Sequence, residues 1–507
     1  MKVRFETTGC RLNQIETESA AKIFIDKSFS VTLDSLTSSS PIDNDAILCV
    51  INTCAVTQKA EQKDRRMIRI VLEKCPNATV VVTGCYAQLS QDFIKSMNDR
   101  VAVLPGQLKS RIEDVATLLE KYKTSEFSPA AFANELNSTL FAIPAAVSGK
   151  SENPFKLSTD SFMAHSRSSI KIQDGCNNSC TYCAIHLARG KSVSLDVESV
   201  LNRVIQLEKV GQKEVVFTTV NINHYRGEYN GKYLKFAELL DLCLQKTSTI
   251  AFRISSLYPE VVDDYFCSVI KNPRVRPHFH ISVQSGSDKI LKLMGRSYVR
   301  QTVVDACNKL RIAKENPFIA CDIITGFPNE TDEDFEETMK LCKECDFAWV
   351  HVFPYSERSG TVAASMKNKV PQFIRGERAK KVTLWASEQK VKYIDSCKNQ
   401  VFDAVLEMPK KLFVYNKEHN AKKLNAVTEN FLHCEIIGEV PNELNSGDYG
   451  FFAVEGVVMY HINASLYKET YNRETVIIHN GIDKPIYKEA DLIKEKFGLE
   501  KDGYICI

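Results

Sequence analysis

Three apolar runs near the start of the chain each end on a cysteine, and this pattern constrains the fold more than any other feature. The runs read VRFETTGC, ILCVINTC and VVVTGC, and their last residues are Cys10, Cys54 and Cys85. A helical periodicity follows each run, as in an α/β domain with a parallel, flavodoxin-like sheet. Parallel strands end at the same edge of a sheet, where doubly wound domains bind ligands. The three cysteines are therefore predicted to converge.

A second series of strands and helices follows between residues 161 and 398. Its strands read SIKIQDGC, EVVFTTVN, IAFRISSL, HFHISVQ, FIACDIITGF and AWVHVFPY, and a helical pattern follows each of them. Six such units predict a partial (β/α)6 barrel. Barrels of this kind carry their chemistry at the carboxyl ends of the strands. The residues found there are Cys176, Asn221, Ser255, Gln284, Asp322 and Tyr355.

The remaining segments complete a predicted division into an N-terminal domain (1–123), the barrel (161–398) and a small β-barrel (399–462). The β-barrel is predicted from short apolar runs separated by polar turns. Residues 124–160 are rich in Ser, Ala, Asn and Pro and are interpreted as a linker or insertion. Residues 463–507 have mixed, charge-balanced composition, and the sequence assigns them no role.

The overall composition is that of an ordinary globular protein. The 507 residues include 65 Lys and Arg against 63 Asp and Glu, so bulk charge does not indicate a nucleic-acid partner. The sequence has no apolar run of about 18 residues, which predicts a cytoplasmic protein without a membrane contact. Seventeen cysteines in such a protein indicate metal or redox chemistry. Ungrouped cysteines, including the CxxC pair Cys342 and Cys345, are predicted to be buried apolar side chains.

The most specific motif is the CxxxCxxC run of Cys176, Cys180 and Cys183, directly after the first barrel strand. Three thiolates so closely spaced can hold three irons of a 4Fe-4S cluster and leave the fourth iron without a protein ligand. S-adenosylmethionine (SAM) can chelate that iron and be cleaved there. The alternative is a zinc knuckle, which would need His186 as its fourth ligand.

The motif, with Tyr182 before its last cysteine, resembles the signature of the radical SAM superfamily. The similarity extends to GCRLNQIETE, INTCAVTQKAEQKDRR, TGCYAQ, HISVQSGSDKILKLMGRSY, DIITGFPNETDEDFEET and HVFPYSERSGT. These segments resemble the methylthiotransferases, above all the branch that acts on N6-threonylcarbamoyladenosine in tRNA. The terminal β-barrel is similar to a TRAM domain.

The resemblance implies sulfur insertion and methyl transfer at C2 of the adenosine on the 3′ side of the anticodon, by a 5′-deoxyadenosyl radical mechanism. It implies two 4Fe-4S clusters, the second on Cys10, Cys54 and Cys85. It also implies SAM as methyl donor and radical source, an electron donor such as flavodoxin or ferredoxin, and a sulfur donor. Tyr182, Ser255 and Gln284 are predicted contacts of SAM.

Two positions depart from the family pattern, and a third has an open role. The family commonly has glycine where Thr219 stands, and GFPGE where this chain has Asn329 in GFPNE. Thr219 is predicted to crowd the backbone near the methionine end of SAM. Arg189 follows the cysteine loop and is interpreted either as a substrate contact or as part of a solvated turn.

Evidence for tRNA binding is local. The helix predicted from Gln372 to Lys398 carries seven basic and three acidic residues, and Arg375, Arg378 and Lys381 share a face that suits phosphates. The β-barrel holds five lysines against nine acidic residues, although Lys422 and Lys423 are near aromatic residues, Phe413 and Tyr415. This acidity keeps an alternative open, methylthiolation of an aspartyl residue of a basic ribosomal protein. A third interpretation is an iron-sulfur protein that only binds RNA. It does not explain a cluster with three cysteine ligands and one iron without a protein ligand.

Overall fold

The computed structural model describes most of the chain. It covers residues 1–123, 126–142, 153–158, 167–398, 400–407, 425–436, 449–457, 459–461, 476–478 and 503–505. Within these ranges, no helix has both the length and the apolar composition needed to cross a membrane.

The N-terminal part folds into a five-stranded parallel sheet with the strand order β2-β1-β3-β4-β5. This order is the flavodoxin-like order of doubly wound domains, and the predicted parallel α/β sheet is confirmed. The strands are β1 (Lys2–Thr7), β2 (Ser30–Thr32), β3 (Ala46–Thr53), β4 (Thr79–Gly84) and β5 (Val101–Val103). The helices are α1 (Arg11–Asp26), α2 (Gln58–Lys74), α3 (Cys85–Leu89), α4 (Gln91–Lys95) and α5 (Ile112–Glu120).

Both faces of this sheet are covered, which explains why its central strands are apolar throughout rather than alternating. Leu48 and Val50 of β3 enter a cluster on one face, while Cys49 and Ile51 enter a second cluster on the other. Apolar packing on both faces leaves the strand ends as the place for polar and sulfur-containing side chains.

The segment interpreted as a linker contains a helix, α6 (Pro129–Ser138). Ser128 caps it by accepting a hydrogen bond from the Ala131 amide, and Pro129 occupies its first turn. Phe132 and Leu136 are completely buried against the N-terminal sheet. The composition did not indicate this helix because its apolar stripe is only two turns long.

The barrel consists of two three-stranded sheets, β6-β9-β12 and β13-β14-β15. The Phe252–Val275 and Leu257–Ile281 bridges join them, so six parallel strands follow one another as predicted. Its main strands are β6 (Ser168–Lys171), β9 (Glu214–Thr218), β12 (Ala251–Ile254), β13 (His278–Gln284), β14 (Phe318–Thr325) and β15 (Trp349–Pro354). Short strands are β7 (Gln173–Asp174), β8 (Val193–Ser194), β10 (Gly227–Tyr229) and β11 (Lys232–Leu234).

Helices cover the outside of this barrel and bury its core. They are α7 (Ile185–Arg189), α8 (Val197–Lys209), α9 (Phe236–Lys246), α10 (Asp264–Ile270), α11 (Asp288–Leu293), α12 (Arg300–Ala313), α13 (Asp332–Glu344), α14 (Val362–Ser365) and α15 (Gln372–Ser396). Cys342 and Cys345 are buried on and just after α13, as predicted.

The C-terminal strands form a closed barrel in the order β16-β17-β18-β21-β19. They are β16 (Val401–Glu407), β17 (Asn425–Thr428), β18 (His433–Ile436), β19 (Tyr449–Val457) and β21 (Val476–Ile478), and β20 (Met459–His461) pairs with β22 (Gly503–Ile505). The predicted boundary at residue 462 is therefore wrong, because β21 closes the barrel between β18 and β19. A three-residue strand gives too short an apolar run to be recognised in the sequence.

Acidic residues of the small barrel pair with arginines of the larger one. Arg276 contacts Asp403 and Glu429 at 3.2 and 3.4 Å. Arg167 lies 3.1 Å from Glu407. Part of the acidity of the small barrel is thus used to dock it within the chain. Phe413, Tyr415, Lys422 and Lys423, the predicted local RNA surface, lie outside the described residues.

Candidate functional site

Cys10, Cys54 and Cys85 meet at the carboxyl edge of the N-terminal sheet, as predicted. Cys10 directly precedes α1, Cys54 directly follows β3, and Cys85 opens α3 after β4. Cys54 and Cys85 are buried, while Cys10 is exposed. Burial, together with the neighbouring thiols of Cys10 and Cys85, raises the pKa of Cys54 to about 12. Thiols in this setting stay protonated unless a positively charged metal centre binds them.

Two glycines allow this convergence. Gly9 and Gly84 have φ of +91° and +101°, a conformation that residues with a side chain rarely adopt. A Cβ at Gly9 would overlap Cys54 Cβ, and a Cβ at Gly84 would overlap the Thr53 carbonyl oxygen. Each glycine directly precedes a cysteine. The dipeptide Gly-Cys in the sequence therefore marks both of these tight turns.

Side chains of α1 and α2 fix the loops that carry Cys10 and Cys54. Asn13 donates from Nδ2 to the carbonyl oxygens of Thr8 and Thr53, at 2.9 and 3.0 Å. Asp64 accepts from the Cys54 amide at 3.0 Å and from the Thr8 hydroxyl. Burial raises the pKa of Asp64 to about 7. The sequence interpretation missed Asn13 and Asp64 as positioning residues, although both lie in the segments that carry the family resemblance.

The second cysteine set, Cys176, Cys180 and Cys183, occupies the loop after β7. Gly175 turns the chain into this loop with φ of +71°, and a Cβ there would overlap the Lys191 carbonyl oxygen. The Cys176 amide donates to the Gly190 carbonyl oxygen at 3.1 Å. Gln173 is completely buried and links Gly175 O to the Asn221 amide, at 2.6 and 2.9 Å. The loop is therefore held to the end of β9.

Each thiol of this loop has a polar neighbour. Asn221 Nδ2 lies 3.8 Å from Cys176 Sγ, and the Ile185 amide donates to Cys183 Sγ at 3.4 Å. Arg296 Nη1 lies 3.3 Å from Cys180 Sγ. Burial and the thiols of Cys180 and Cys176 raise the pKa of Cys183 to about 12.

Arg296 was not predicted as a site residue, although it lies in the quoted MGRSY segment. Its guanidinium donates to Tyr298 Oη at 2.7 Å, to Tyr258 Oη at 2.8 Å and to the Ser282 carbonyl oxygen at 3.0 Å. Its Cζ also lies 4.6 Å from the ring centroid of Tyr258 and 5.1 Å from that of Tyr298. These contacts hold a fixed positive charge beside the cysteine loop.

The three predicted SAM contacts follow or lie near the carboxyl ends of barrel strands. Tyr182 packs edge-on against Phe327 at 6.3 Å between ring centroids. Ser255 follows β12, and its hydroxyl lies 3.3 Å from the Thr219 hydroxyl. Gln284 ends β13 with φ of 72°, a strained conformation for a residue with a side chain and one that recurs at ligand sites.

The two departures from the family pattern have different structural consequences. Asn329 has φ of 70° and hydrogen bonds to Asn368, and asparagine is among the few non-glycine residues that tolerate this conformation. This substitution therefore preserves the backbone. Thr219 takes part in the Ser255 hydrogen bond, so it adds a side chain at the predicted SAM opening.

A polar cluster that the sequence interpretation did not assign faces the inside of the barrel. His280 Nε2 lies 2.9 Å from Asp322 Oδ2, and the His280 and His351 rings are 5.1 Å apart. Asp322 was recognised only as a strand-end residue. The alternate residues Phe279, Ile281 and Val283 pack in the core, which leaves His280 on the inner face of the sheet.

The basic face predicted on α15 is wrong for two of its three members. Arg378 is buried and pairs with Glu330 and Asp332 at 2.5 and 2.7 Å. Arg375 donates to the carbonyl oxygens of Tyr355 and Val370. Spacing along a helix places residues on one face but does not show whether that face meets solvent or protein. Four lysines of this region are exposed: Lys380, Lys381, Lys392 and Lys398.

The donor chemistry of the cysteine sets fits iron-sulfur clusters better than a single metal ion. Among the described residues, no three Cys, His, Asp or Glu side chains converge closely enough to bind one ion. His186 therefore does not complete a zinc knuckle with the cysteine loop. A 4Fe-4S cluster binds each thiolate through a different iron, so its ligands lie farther apart than those of one ion.

Two family models match the chain. One, described as the radical SAM superfamily, matches residues 170–342, and another, described as the uncharacterized protein family UPF0004, matches residues 2–106. The chain is 41% identical over 476 residues to the threonylcarbamoyladenosine tRNA methylthiotransferase MtaB of Treponema pallidum (strain Nichols), which covers 86% of this chain and 94% of that protein. It belongs to the radical SAM methylthiotransferases.

Further relatives support the same family, and one of them carries the same name. The protein named MtaB from Thermotoga maritima is 36% identical over 77% of this chain and 83% of its own length. The tRNA-2-methylthio-N(6)-dimethylallyladenosine synthase of Bacillus subtilis is 30% identical over 80% of this chain and 76% of its own length. The cofactors of this methylthiotransferase are SAM and two 4Fe-4S clusters.

Substitution of Gly9 by alanine is expected to impair the N-terminal cysteine site. A side chain there meets both the φ strain, about 1 to 3 kcal/mol, and the overlap with Cys54. Gly211→Ala is the matched control, because Gly211 has φ of +86° but open space around it. Iron analysis after anaerobic reconstitution should show a loss in Gly9→Ala only. Equal iron contents in the two variants would contradict the role assigned to this close approach.

Proposed function

We propose that this methylthiotransferase inserts sulfur and transfers a methyl group to C2 of N6-threonylcarbamoyladenosine next to the anticodon of tRNA. The observation that carries the proposal is the presence of two separate cysteine triads, each at the carboxyl edge of a parallel sheet, in a chain that is 41% identical to a relative named for this reaction. One triad is Cys176, Cys180 and Cys183, and the other is Cys10, Cys54 and Cys85.

The two triads are assigned different roles. Cys176, Cys180 and Cys183 would hold the cluster that binds SAM, and bound there it supplies the 5′-deoxyadenosyl radical chemistry that an unacidic aromatic C–H bond requires. Cys10, Cys54 and Cys85 would hold the cluster that presents the sulfur. Arg296, Asn221 and the Ile185 amide place positive charge and hydrogen-bond donors at the first triad, and such contacts adjust a cluster's reduction potential.

The remaining site residues would bind and orient the organic reactants. Ser255, Gln284 and Tyr182 would contact SAM, and Thr219, whose hydroxyl lies 3.3 Å from that of Ser255, would adjoin it. His280 and Asp322 face the inside of the barrel, where an imidazole and a carboxylate can hydrogen-bond the edge of a base. Closure by the surrounding domains would keep a reactive radical away from solvent.

The substrate is assigned to tRNA partly because of the exposed positive charge on α15. The exposed lysines of α15 are suited to phosphates, and the closed barrel is proposed to be a TRAM-like tRNA contact. The electron would come from a donor such as flavodoxin or ferredoxin, and a separate donor would replace the sulfur. A tRNA substrate places the reaction in the cytoplasm.

The alternative is methylthiolation of an aspartyl residue of a ribosomal protein, which the acidity of the small barrel favoured. Asp403, Glu407 and Glu429 of that barrel pair with arginines of the same chain. Less of its negative charge is therefore free to attract a basic partner. This lowers the support for the alternative.

Nucleoside analysis of tRNA from a deletion strain tests the function. The 2-methylthio form is expected to disappear and N6-threonylcarbamoyladenosine to accumulate, because the modification is the last step on that base. Wild type and Cys243→Ala, which changes a buried cysteine outside both triads, should restore it, whereas Cys54→Ala should not. An unchanged nucleoside profile, with a mass change in a ribosomal protein, would instead establish the alternative.

A further inference from the structure

A buried group of charged side chains joins the N-terminal sheet to the barrel beside both cysteine triads. Glu16 lies on α1 and Lys109 in the 3-10 helix Gly106–Arg111, while Lys171, Asp174 and Arg189 belong to β6, β7 and α7. None of these five side chains is more than 10% exposed. Charges buried this deeply require fixed partners, so the group defines how the two domains meet.

Arg189 is at the centre of this group. Its Nη1 lies 3.1 Å from Glu16 Oε1 and 3.0 Å from Asp174 Oδ1, and so bridges the two domains. Lys171 Nζ contacts the same two carboxylates at 3.0 and 3.1 Å. Lys109 pairs with the other oxygen of Glu16. Arg189 is therefore a structural bridge and is not available as the substrate contact considered from the sequence.

Hydrogen bonds continue from Arg189 to the backbone of both triads. Arg189 Nη2 donates to Asn13 Oδ1 at 2.9 Å, and Asn13 in turn donates to Thr8 O and Thr53 O, next to the loops of Cys10 and Cys54. On the other side, Asp174 Oδ1 accepts from the Gly175 amide at 2.8 Å, directly before Cys176. A continuous path of hydrogen bonds thus runs from one triad to the other.

The group also carries an unbalanced positive charge. Three cations, on Lys109, Lys171 and Arg189, surround only two carboxylates, those of Glu16 and Asp174. The Arg189 guanidinium lies 2.9 Å from Asn13, which hydrogen-bonds to the loops of Cys10 and Cys54, so this positive charge is close to the N-terminal triad. A positive charge near a metal cluster stabilises the more negative, reduced form.

We propose that Arg189 is a positioning residue that fixes the separation and orientation of the two cysteine triads. This inference rests on the proposed function, because only then does each triad hold a cluster. Sulfur from one cluster and the radical generated at the other must reach the same carbon. A misplacement of reacting groups by about 1 Å can lower the rate of a reaction about 100-fold. A rigid link between the triads would therefore keep the sulfur and the radical in position to react.

The test compares Arg189→Gln and Arg189→Lys with wild type after anaerobic reconstitution. Glu61→Gln is the matched control, since it breaks another ion pair between the domains, with Arg358, in which the Glu61 side chain is 19% exposed. Iron content, pulsed electron paramagnetic resonance of the two reduced clusters and the reduction potential of each cluster are measured. Broadened inter-cluster distances are expected in both Arg189 variants, because lysine cannot reach Asn13, Glu16 and Asp174 together. A lower potential of the N-terminal cluster is expected in Arg189→Gln only.

The outcomes separate this inference from the proposed function. An iron content of about four atoms per chain in the wild type would contradict the proposed two-cluster function itself. A wild type with about eight irons, but with the same distance distribution in wild type and both Arg189 variants, would overturn the role of Arg189 alone. A broadening in Glu61→Gln as large as in Arg189→Lys would also overturn it, because any loosening of the interface would then suffice.

Discussion

Replacement of Cys10, Cys54 and Cys85 together by alanine is expected to lower the iron content from about eight to about four atoms per chain. The three thiols meet at one sheet edge, and no other grouping of the described cysteines adjoins them, so their loss removes one complete site. The barrel triad is held by its own contacts with Gly190, Asn221 and Arg296. It should keep its cluster and continue to cleave SAM.

Iron and sulfide analysis after anaerobic reconstitution measures this effect, together with the formation of 5′-deoxyadenosine and of the methylthiolated base. The variant should still form 5′-deoxyadenosine but no methylthio product. A control triple variant, Cys243→Ala, Cys307→Ala and Cys342→Ala, changes three buried cysteines elsewhere and should retain about eight irons. If wild type held about four irons and the first variant lost none, the N-terminal thiols would be structural.

Glu214→Gln is expected to destabilise the protein by about 3 to 5 kcal/mol, because it leaves buried arginines without their counter-charge. Glu214 is 1% exposed and lies 2.7 Å from Arg253 Nε and 3.1 Å from Arg276 Nε. The same arginines contact the small barrel through Thr428 O, Asp403 and Glu429. The substitution should therefore loosen that barrel first. Glu344→Gln, at an exposed ion pair with Arg300, is the control and should leave the denaturation midpoint unchanged.

The pH dependence of the same pair of proteins checks the cause. Burial alone would raise the pKa of Glu214, but Arg253, Arg167 and Arg276 lower it from 4.5 to about 2. A carboxyl with a depressed pKa stabilises the fold above its unfolded-state pKa, and this contribution is lost as the pH falls through the folded-state pKa. Urea denaturation should therefore show wild-type stability falling more steeply than that of Glu214→Gln from about pH 4.5 to about pH 2. Parallel pH profiles would contradict this account.

Local sequence was sufficient to find both cysteine sites. Cys54 and Cys85 directly follow a strand, Cys10 and Cys176 follow within three residues of one, and Cys180 and Cys183 complete a short motif. The apolar periods that predict strands operate over fewer than ten residues. The role of Gly9, Gly84 and Gly175 was not predicted, because a Cβ at each would overlap a residue distant in the sequence, Cys54, Thr53 and Lys191 respectively. Finding the cysteines thus needed no knowledge of distant contacts, whereas explaining the glycines did.

The sequence failed where short elements depend on tertiary packing. β21 has three residues, and it is a strand only because β18 and β19 lie on either side of it. The helix α6 buries Phe132 and Leu136 against a sheet that precedes it in the chain. Arg375 and Arg378 had suitable spacing for phosphates, but their side chains meet Tyr355 O and Glu330 instead.

The sequence by itself determined which residues end strands and which thiols belong together. Only the tertiary structure decided which charges meet. Glu16 and Arg189 are 173 positions apart and Arg276 and Glu429 are 153 apart, yet each pair is in contact. Periodicity reports the path of the backbone over a few residues, whereas the partner of a buried charge depends on how whole domains pack. For that reason the link between the two cysteine triads became visible only in the folded chain.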